Sequence, residues 1–265
     1  MSYKAGFIGC GNMGSALAKA VSTSVGGHNI IIYDTNEDKA KSVSASLGAD
    51  FGSPQSFINS SKFIFLAVKP QIMSTAIPPL LESINASNSI IVTMAAGLEI
   101  NYFKEDLSIT RPIIRIMPNT PCSVSEGMIL YDYSIDVSSD SLEEFEGILS
   151  NAGVLHHLPE ALIDAGSAVS GCGPAFAYIF IESLADAGVE CGLARDEAIL
   201  FAAQMLKGSA EMVLQGGRPS ILKDNVCSPG GTTIAGVHAL EDLCFRSAVM
   251  NAVVAAYKRT LELKK

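Results

Sequence analysis

Short apolar runs alternate with longer polar, alanine-containing segments through the first 159 residues of the chain. Most of these runs are apolar at every position, which is typical of strands covered by helices on both faces. The connections are rich in Ser, Asn, Gly and Pro or suit crossover helices. This rhythm predicts an α/β fold with a doubly wound, mostly parallel sheet, whose strands are residues 5–8, 29–33, 63–67, 90–93, 113–116 and 128–131.

The pattern changes after Pro159, where β-branched runs give way to long segments rich in Ala, Leu and Met. Apolar residues recur there at helical spacing in three stripes, within residues 176–187, 198–213 and 245–256. In the first stripe the opposite side is apolar as well, which predicts a helix that is buried on all sides. The second half of the chain is therefore predicted to be all-helical.

Charge is scarce for a chain of this length, because 17% of residues are charged against roughly 25% in an average soluble domain. A helical domain of about a hundred residues cannot enclose this much apolar surface alone, so we predict that it packs against a second copy of itself. The sequence thus predicts a domain at residues 1–159, a helical dimerisation domain at residues 160–265, and a homo-oligomer built on a helical dimer, with higher assembly left open.

Net charge and cysteine content exclude several classes of partner. The net charge of −9 argues against a nucleic-acid binder, because affinity for polyanions comes mainly from Lys and Arg. The six cysteines show no CxxC or metal-type spacing, which predicts reduced thiols, a cytoplasmic location and no metal site. No uninterrupted apolar run approaches the roughly 18 residues of a membrane span, so no membrane partner is expected.

One glycine-rich turn directly follows the first predicted strand and precedes a predicted helix that ends near Val25. Its spacing is GxGxxG, in which the first glycine permits a tight turn, the second lets a pyrophosphate approach the backbone, and the third permits close helix packing. The spacing alone also occurs in ordinary turns. With the strand before it and the helix after it, it predicts a Rossmann-type dinucleotide-binding domain with cofactor contacts at Gly9, Cys10, Gly11, Asn12, Met13 and Gly14.

Asp34 stands at the end of the second predicted strand, about 20 residues beyond the glycine turn. A carboxylate there accepts hydrogen bonds from ribose hydroxyls and repels a 2′-phosphate, which slightly favours NADH over NADPH. Asp34 equally suits the opening of a turn over residues 34–36, and Lys39 nearby suits a phosphate contact. The sequence leaves these alternatives open.

A second cluster, Ser-Pro-Gly-Gly-Thr-Thr at residues 228–233, precedes a short helical stripe. Such a cluster forms a helix N-terminus with free amides and hydroxyls, which predicts an anion site. An ordinary capped helix start has the same composition.

Seven stretches of the chain together resemble the pyrroline-5-carboxylate reductase family over nearly the whole length. The glycine turn alone is not specific, whereas the stretch at residues 223–233 is. The matching stretches are residues 7–14, 67–70, 95–97, 115–121, 169–175, 223–233 and 245–246.

The resemblance implies hydride transfer from NADPH or NADH to the C=N bond of 1-pyrroline-5-carboxylate, giving L-proline in the last step of proline biosynthesis. It implies further cofactor contacts at Ala67, Val68, Lys69, Pro70, Met94, Ala95, Ala96 and Asn225. It implies a substrate-carboxylate site at Ser228, Gly230, Gly231, Thr232 and Thr233, with the Thr233 hydroxyl near the ring nitrogen as the catalytic group. A helical C-terminal domain that interlocks with a second subunit is also implied.

The chain departs from the family pattern at three positions. Cys172 and Phe176 stand where the family commonly has Ser and Tyr, so a hydroxyl is lost at each. Many members have a small polar residue in place of Asp34, and NADPH is the commoner donor among them. The choice between the two cofactors is therefore open.

Two other functions compete with a reductase of this family. A β-hydroxyacid dehydrogenase also joins a similar glycine turn to helices, but it places a catalytic Lys on the helix after a glycine-rich turn, and residues 173–186 contain no Lys. A non-catalytic dinucleotide sensor would bind cofactor without oxidising it. Loss of the anion site at residues 229–233 would favour the sensor, and the site is intact.

Overall fold

The computed structural model describes residues 3–263, in which eight strands form one sheet. The strands are β1 Tyr3–Ile8, β2 Ile30–Tyr33, β3 Asp50–Phe51, β4 Ser61–Leu66, β5 Ile90–Thr93, β6 Ile113–Met117, β7 Gly127–Tyr133 and β8 Gly153–His157. The helices are α1 Asn12–Val25, α2 Glu37–Leu47, α3 Pro54–Phe57, α4 Met73–Ala76, α5 Leu81–Ala86, α6 Ser139–Leu149, α7 Glu160–Ser170, α8 Gly173–Glu190, α9 Arg195–Leu214, α10 Pro219–Val226, α11 Thr232–Asp242 and α12 Phe245–Leu263.

The strand order is β3-β2-β1-β4-β5-β6-β7-β8, and every neighbouring pair is parallel except β6 and β7. The connection from Met117 to Gly127 is too short for a crossover helix, so β7 returns antiparallel to β6. The predicted doubly wound, mostly parallel sheet followed by helices is confirmed, and each of the six predicted strands is present.

Two strands were not predicted from the apolar pattern. β3 pairs with β2 over only two residues, and both of them are exposed. β8 lies at the other edge of the sheet and exposes Val154, His156 and His157. Neither strand has the continuous apolar run of a strand covered on both faces, because each lies at an edge.

The sheet separates two apolar cores. Phe63 and Phe65 of β4 point to one face, where Leu17 and Val21 of α1 and Phe145 of α6 cover them. The alternate residues of β4 point to the other face, where α3, α4 and α5 contribute Phe57, Met73 and Ile84, and Ile77 adds to them directly after α4. Because successive side chains of a strand alternate between faces, covering both faces requires the continuous apolar runs seen in the sequence.

The described residues divide into two compact units, which we call the sheet unit (residues 3–172 and 256–263) and the helical unit (Gly173–Ala255). α7 belongs to the sheet unit because Ile163 packs with Met117 and Leu130, and because Asp164 pairs with Arg115. The packing boundary therefore lies one helix beyond the boundary predicted after residue 159. That the boundary after residue 159 also separates cofactor binding from substrate binding stays a prediction.

The helical unit buries few side chains in the single chain. Within Gly173–Ala255 the buried residues are Ala185, Ala198 and Ala202. The stripe predicted to be buried on all sides lies in α8, but Ile179 is 62% exposed. The prediction that α8 is apolar is thus correct, whereas the single chain does not bury this helix on all sides.

One helical stretch, Glu160–Glu190, is long and apolar enough to cross a membrane by length and composition alone. It comprises α7 and α8 and is mostly unburied in the single chain. These properties are weak evidence for a span, because a helix covered by another protein surface shares them.

Candidate functional site

The glycine turn between β1 and α1 is held by backbone contacts that permit no side chain at two of its glycines. Gly9 has a positive φ of 101°, and a Cβ on it would lie 2.6 Å from the carbonyl oxygen of Ala67. A Cβ on Gly14 would lie 2.4 Å from the carbonyl oxygen of Gly9. The first and third glycines of the motif therefore let β1, β4 and α1 meet closely.

Gly11 differs from these two glycines, because a Cβ on it would meet no protein atom within 4 Å. Its backbone is extended, at φ −60° and ψ −175°, and it occupies the N-cap position of α1. Since glycine has no side chain to cap the helix, the first amides of α1 face open space at this point. The location fits the pyrophosphate of a dinucleotide, which helix N-termini bind through such amides.

Asp34 follows β2 and connects this strand to the glycine turn. One carboxylate oxygen, Oδ2, accepts a hydrogen bond from the Cys10 amide at 2.8 Å, and Oδ1 accepts one from the Asn36 amide at 2.9 Å. Partial burial raises the pKa of Asp34, but these hydrogen bonds outweigh it and leave the pKa below its ordinary value. Asp34 therefore opens the turn as an anion.

Cys10 lies inside the turn with its side chain fully buried. Burial raises the pKa of its thiol to about 11, and a hydrogen bond to Asp34 contributes to the shift. The thiol is thus protonated near neutral pH. The Cys10 side chain packs beneath the turn, while the Cys10 amide donates a hydrogen bond to the Asp34 carboxylate.

A cavity of about 480 Å³ lies at the carboxyl ends of β1, β2 and β4, where parallel α/β sheets bind their ligands. Six predicted cofactor residues line it: Gly9, Gly11, Asp34, Ala67, Val68 and Lys69. The cavity is large enough for a substantial part of a dinucleotide. The sheet thus brings the two predicted loops and Asp34 to one place.

Other lining residues were missed by the sequence reasoning. They follow strand ends or belong to the short helices after β4, and they are Tyr33, Thr35, Ser53, Pro54, Gln55, Ile72, Thr75, Ala76, Pro79 and Leu80. Their signal was positional, since each loop at the carboxyl end of a parallel strand is a candidate for the ligand site. The loop after β3 gave no such signal because the strand itself was not recognised.

The remaining predicted cofactor residues do not line this cavity. Asn12 borders a second cavity of about 400 Å³ beside α1, together with Lys19 and Lys39. The turn after β5 holds Ala95, which is buried, and Ala96, which is exposed. Cys10, Met13, Gly14, Pro70 and Met94 lie in the same loops or directly beside them, and Asn225 belongs to α10 of the helical unit.

The predicted anion site forms a tight turn at the start of α11 in the helical unit. The Gly231 amide donates to the Ser228 carbonyl at 3.0 Å, and Gly230 has a positive φ of 67°. Pro followed by Gly at the two central positions is the signature of a type II turn. A Cβ on Gly231 would lie 2.3 Å from the Ser228 hydroxyl, so only glycine lets this hydroxyl lie at the helix start.

The N-terminus of α11 has the chemistry of an anion site. Gly231 is at the N-cap position and has no side chain to cap the helix. Thr232 is exposed and Thr233 is partly buried in the first turn of α11. Amides, hydroxyls and the positive end of the helix dipole together suit a carboxylate.

No histidine side chain of the described residues is placed at the glycine-turn cavity or in the first turn of α11. His28, His156, His157 and His238 are all exposed. Within residues 3–263, no three His, Cys, Asp or Glu side chains are grouped so that they could hold a metal ion.

Comparison with family models matches both parts of the chain. A model described as pyrroline-5-carboxylate reductase dimerisation matches residues 160–263. A model described as NADP oxidoreductase, coenzyme F420-dependent, matches residues 4–97, which contain the glycine turn, Asp34 and the loops after β4 and β5.

Known relatives match the chain over its full length. Pyrroline-5-carboxylate reductase from Arabidopsis thaliana is 37% identical over 99% of this chain and 96% of its own length. The Escherichia coli enzyme is 38% identical over 100% of both chains. The crystal structure of Plasmodium falciparum pyrroline carboxylate reductase with NADP bound aligns with a TM-score of 0.89 at 34% identity, covering 99% of this chain and 98% of that chain.

Proposed function

The chain belongs to the pyrroline-5-carboxylate reductase family, and we propose that it reduces 1-pyrroline-5-carboxylate to L-proline with NAD(P)H. The observation that carries this proposal is a pair of uncapped helix N-termini, one in each unit, whose chemistry suits the two anions that the reaction requires. The glycine turn leaves helix amides open beside Gly11, and the Gly231 N-cap leaves them open at the start of α11. Full-length identity to reductases of this name supports the same reaction.

The sheet unit provides the cofactor site. The pyrophosphate lies against Gly9, Gly11 and the first amides of α1, and the adenosine ribose lies beside Asp34. The loop at residues 67–70 and the turn at residues 94–96 contact the nicotinamide half. The cavity beneath the first of these loops supports this arrangement, because it is continuous from the glycine turn to Lys69.

The helical unit provides the substrate site. The carboxylate of the imino acid accepts hydrogen bonds from the amides of Gly231 and Thr232 and from the hydroxyl of Ser228. The helix dipole adds roughly 0.3–1 kcal/mol for an anion at this point. The main effect of these contacts is orientation, because they fix one end of a small, rigid ring. The family resemblance also assigns a cofactor-binding role to Asn225, on the preceding helix.

The reaction needs little acid–base chemistry from side chains. When bound, the reduced nicotinamide supplies a hydride to the imine carbon, and the protonated imine nitrogen becomes the amine of proline. Hydride transfer of this kind requires the imine carbon to lie about 3–3.5 Å from the hydride and water to be excluded, and this positioning is what the protein would supply. The Thr233 hydroxyl accepts a hydrogen bond from the protonated nitrogen and so orients the ring.

The choice of cofactor follows from Asp34. Its carboxylate is held as an anion by two backbone amides, so it repels a 2′-phosphate and accepts hydrogen bonds from ribose hydroxyls. We therefore propose a modest preference for NADH. Lys39, in the first turn of α2, attracts a phosphate and moderates this preference.

Assembly and location complete the proposal. The unburied faces of α8 and α12 support a dimer formed through the helical unit, and the dimerisation model matches this region. All six cysteines are free thiols, which supports a reducing compartment such as the cytoplasm.

The central test measures loss of reduced-nicotinamide absorbance on addition of 1-pyrroline-5-carboxylate. Wild-type protein should oxidise NADH or NADPH, and no absorbance change with either would refute the proposed reaction.

Thr233→Ala should reduce kcat about 100-fold with unchanged cofactor affinity, whereas Thr233→Ser, which keeps the hydroxyl, should retain most of the activity. Equal rates for the Ala and Ser variants would refute the role of the hydroxyl.

Asp34→Ser tests the cofactor preference within the same assay. Removing the carboxylate should raise kcat/KM with NADPH relative to that with NADH by about tenfold, because the repulsion of a 2′-phosphate is lost. An unchanged ratio would show that Asp34 acts only on the turn.

A further inference from the structure

Arg115 is a fully buried cation in the middle of the sheet unit. It lies on β6 with 0% of its side chain exposed. Its Nη2 donates to Asp164 at 2.6 Å, and its Nη1 donates to Glu160 at 3.2 Å. Both carboxylates belong to α7. The proposed reaction uses none of these groups, although buried ions are costly and their geometry is tightly constrained.

Glu160 connects this ion cluster to the turn after β5. The carboxylate oxygen that faces Arg115, Oε1, also accepts the Ile100 amide at 2.7 Å. Ile100 is buried, so its amide needs an acceptor inside the protein. A single carboxylate oxygen thus joins β6, α7 and the end of the segment that begins at residue 94.

The segment from residue 94 to residue 100 is compact but lightly held by its own backbone. Gly97 has a positive φ of 77°, which reverses the chain. Within the segment the Leu98 amide donates to the Ala95 carbonyl at a long 3.3 Å. The Glu160 contact at Ile100 is shorter and is charge-assisted, and such hydrogen bonds are about twice as strong as neutral ones.

Glu160 is itself held in place from its backbone. Its amide donates to Asp132 Oδ2 at 2.6 Å, and Asp132 Oδ1 faces His157 Nε2 at 3.1 Å. The side chain is therefore fixed at both ends, by Arg115 at the carboxylate and by β7 at the backbone. An acceptor with so little freedom defines the position of the amide that it binds.

We propose that Glu160, oriented by Arg115, is a positioning residue for the turn at residues 94–96 and hence for the nicotinamide. This inference rests on the proposed function, in which that turn contacts the nicotinamide half of the cofactor. A displacement of about 1 Å at the reacting carbon costs up to about 100-fold in rate. We call the hydrogen bond from the Ile100 amide to Glu160 the clamp. The clamp thus affects hydride transfer without touching the cofactor.

The test compares Glu160→Ala, which removes the acceptor, with Glu160→Gln, which keeps an oxygen for Ile100. Glu144→Ala is the control, because it removes a carboxylate of the same unit that pairs with Lys4 and Lys62 at the surface. Three quantities are measured for each variant: kcat with 1-pyrroline-5-carboxylate, the dissociation constant of the reduced cofactor, and the dissociation constant of ADP-ribose. ADP-ribose lacks only the nicotinamide ring, so it reports on the binding of the rest of the cofactor.

Glu160→Ala should lower kcat about 30-fold and weaken the reduced cofactor about tenfold, while ADP-ribose affinity changes less than about twofold. Glu160→Gln and Glu144→Ala should each stay within about threefold of wild type. Should the Ala variant fail to fold, Glu160→Asp, which draws the carboxylate back by one methylene, carries the same expectation.

Three results would overturn the proposal. They are wild-type kcat in Glu160→Ala, equal weakening of the cofactor and ADP-ribose, and a Gln variant as impaired as the Ala variant. If wild-type protein does not reduce pyrroline-5-carboxylate, the proposed reaction fails separately. A nicotinamide-specific loss of affinity in Glu160→Ala would still support the clamp.

Discussion

The sheet unit and the helical unit treat their apolar residues in opposite ways. In the sheet unit, Phe7 and Phe65 stack at 4.5 Å between their ring centroids and are fully buried. In the helical unit, Phe180 and Phe245 also meet, at 5.8 Å, but they line an apolar cavity of about 630 Å³. The sheet unit completes its core within one chain, whereas the helical unit leaves a core half-formed.

The physical reason is geometric. A sheet has two faces, and crossover helices of the same chain cover both of them. Many large apolar side chains of the helical unit, such as Ile179, are left exposed by residues 3–263. Burying a large apolar side chain contributes about 1.5–3 kcal/mol, so a second copy that covers these faces gains stability from each contact.

The largest expected effect comes from placing a charge on the open face of α8. Ile179 is 62% exposed and lines the apolar cavity, and Ile135, in the sheet unit, is 103% exposed. An unpaired carboxylate at a buried interface costs about 3 kcal/mol or more, and a two-fold interface carries it twice. Ile179→Glu should therefore weaken the dimer by about 6 kcal/mol, or roughly 10⁴-fold.

Ile135→Glu is the matched control for this experiment and should leave the molecular mass unchanged. Light scattering after gel filtration gives the mass of each variant at micromolar concentration. A dimeric Ile179→Glu protein with wild-type thermal stability would show that this face of α8 is not the interface.

The second prediction separates two glycines of the same turn. Gly9→Ala should destabilise the sheet unit by about 2–3 kcal/mol, because its positive φ and the nearby Ala67 carbonyl exclude a Cβ. Gly11→Ala should leave stability within about 0.5 kcal/mol, since its backbone is extended and its surroundings are open. It should weaken NAD(P)H about tenfold by blocking the pyrophosphate.

Urea unfolding and cofactor titration by fluorescence distinguish the two effects. Normal cofactor affinity in Gly11→Ala would place the pyrophosphate elsewhere. Full stability in Gly9→Ala would mean that the turn adjusts more easily than its packing indicates.

Much of the sheet could be predicted from the sequence, because strands buried on both faces have an unmistakable apolar pattern. β3 and β8 could not, since edge strands lack that pattern and pair over short or exposed segments. The burial of α8 was misjudged for the opposite reason. An apolar helix predicts a covering surface, but the pattern does not tell whether the same chain supplies it.

The candidate site shows the same division. Gly9, Gly11 and Asp34 are predictable as candidates because they stand at the fixed spacings of a local strand–turn–helix motif. The role of Glu160 is not, because it depends on bringing together Arg115, 45 positions away, and Ile100, 60 positions away. Contacts across such separations leave no local pattern in a single sequence.

The smallest expected effect is the pH dependence that Asp34 gives to the sheet unit. Its pKa in the folded protein lies below the unfolded value of about 3.9. A lowered pKa means that the stabilisation is present above about pH 4 and is lost as the pH falls through the folded-state value. The difference in unfolding free energy between wild type and Asp34→Asn should be constant from about pH 8 to 5 and then shrink.

Urea unfolding of both proteins across this range measures that difference directly. If the difference in unfolding free energy between the two proteins stays unchanged well below pH 4, the hydrogen bonds of Asp34 do not depend on its charge.

Hydrogen exchange measured by mass spectrometry over a dilution series tests the contrast between the two units most directly. Amides of β1 and β4 should keep the same protection at every protein concentration, because their core is complete in one chain. Amides of α8 and α12 should lose protection as dilution separates the copies. Equal protection of both sets in a demonstrably monomeric protein would contradict the account.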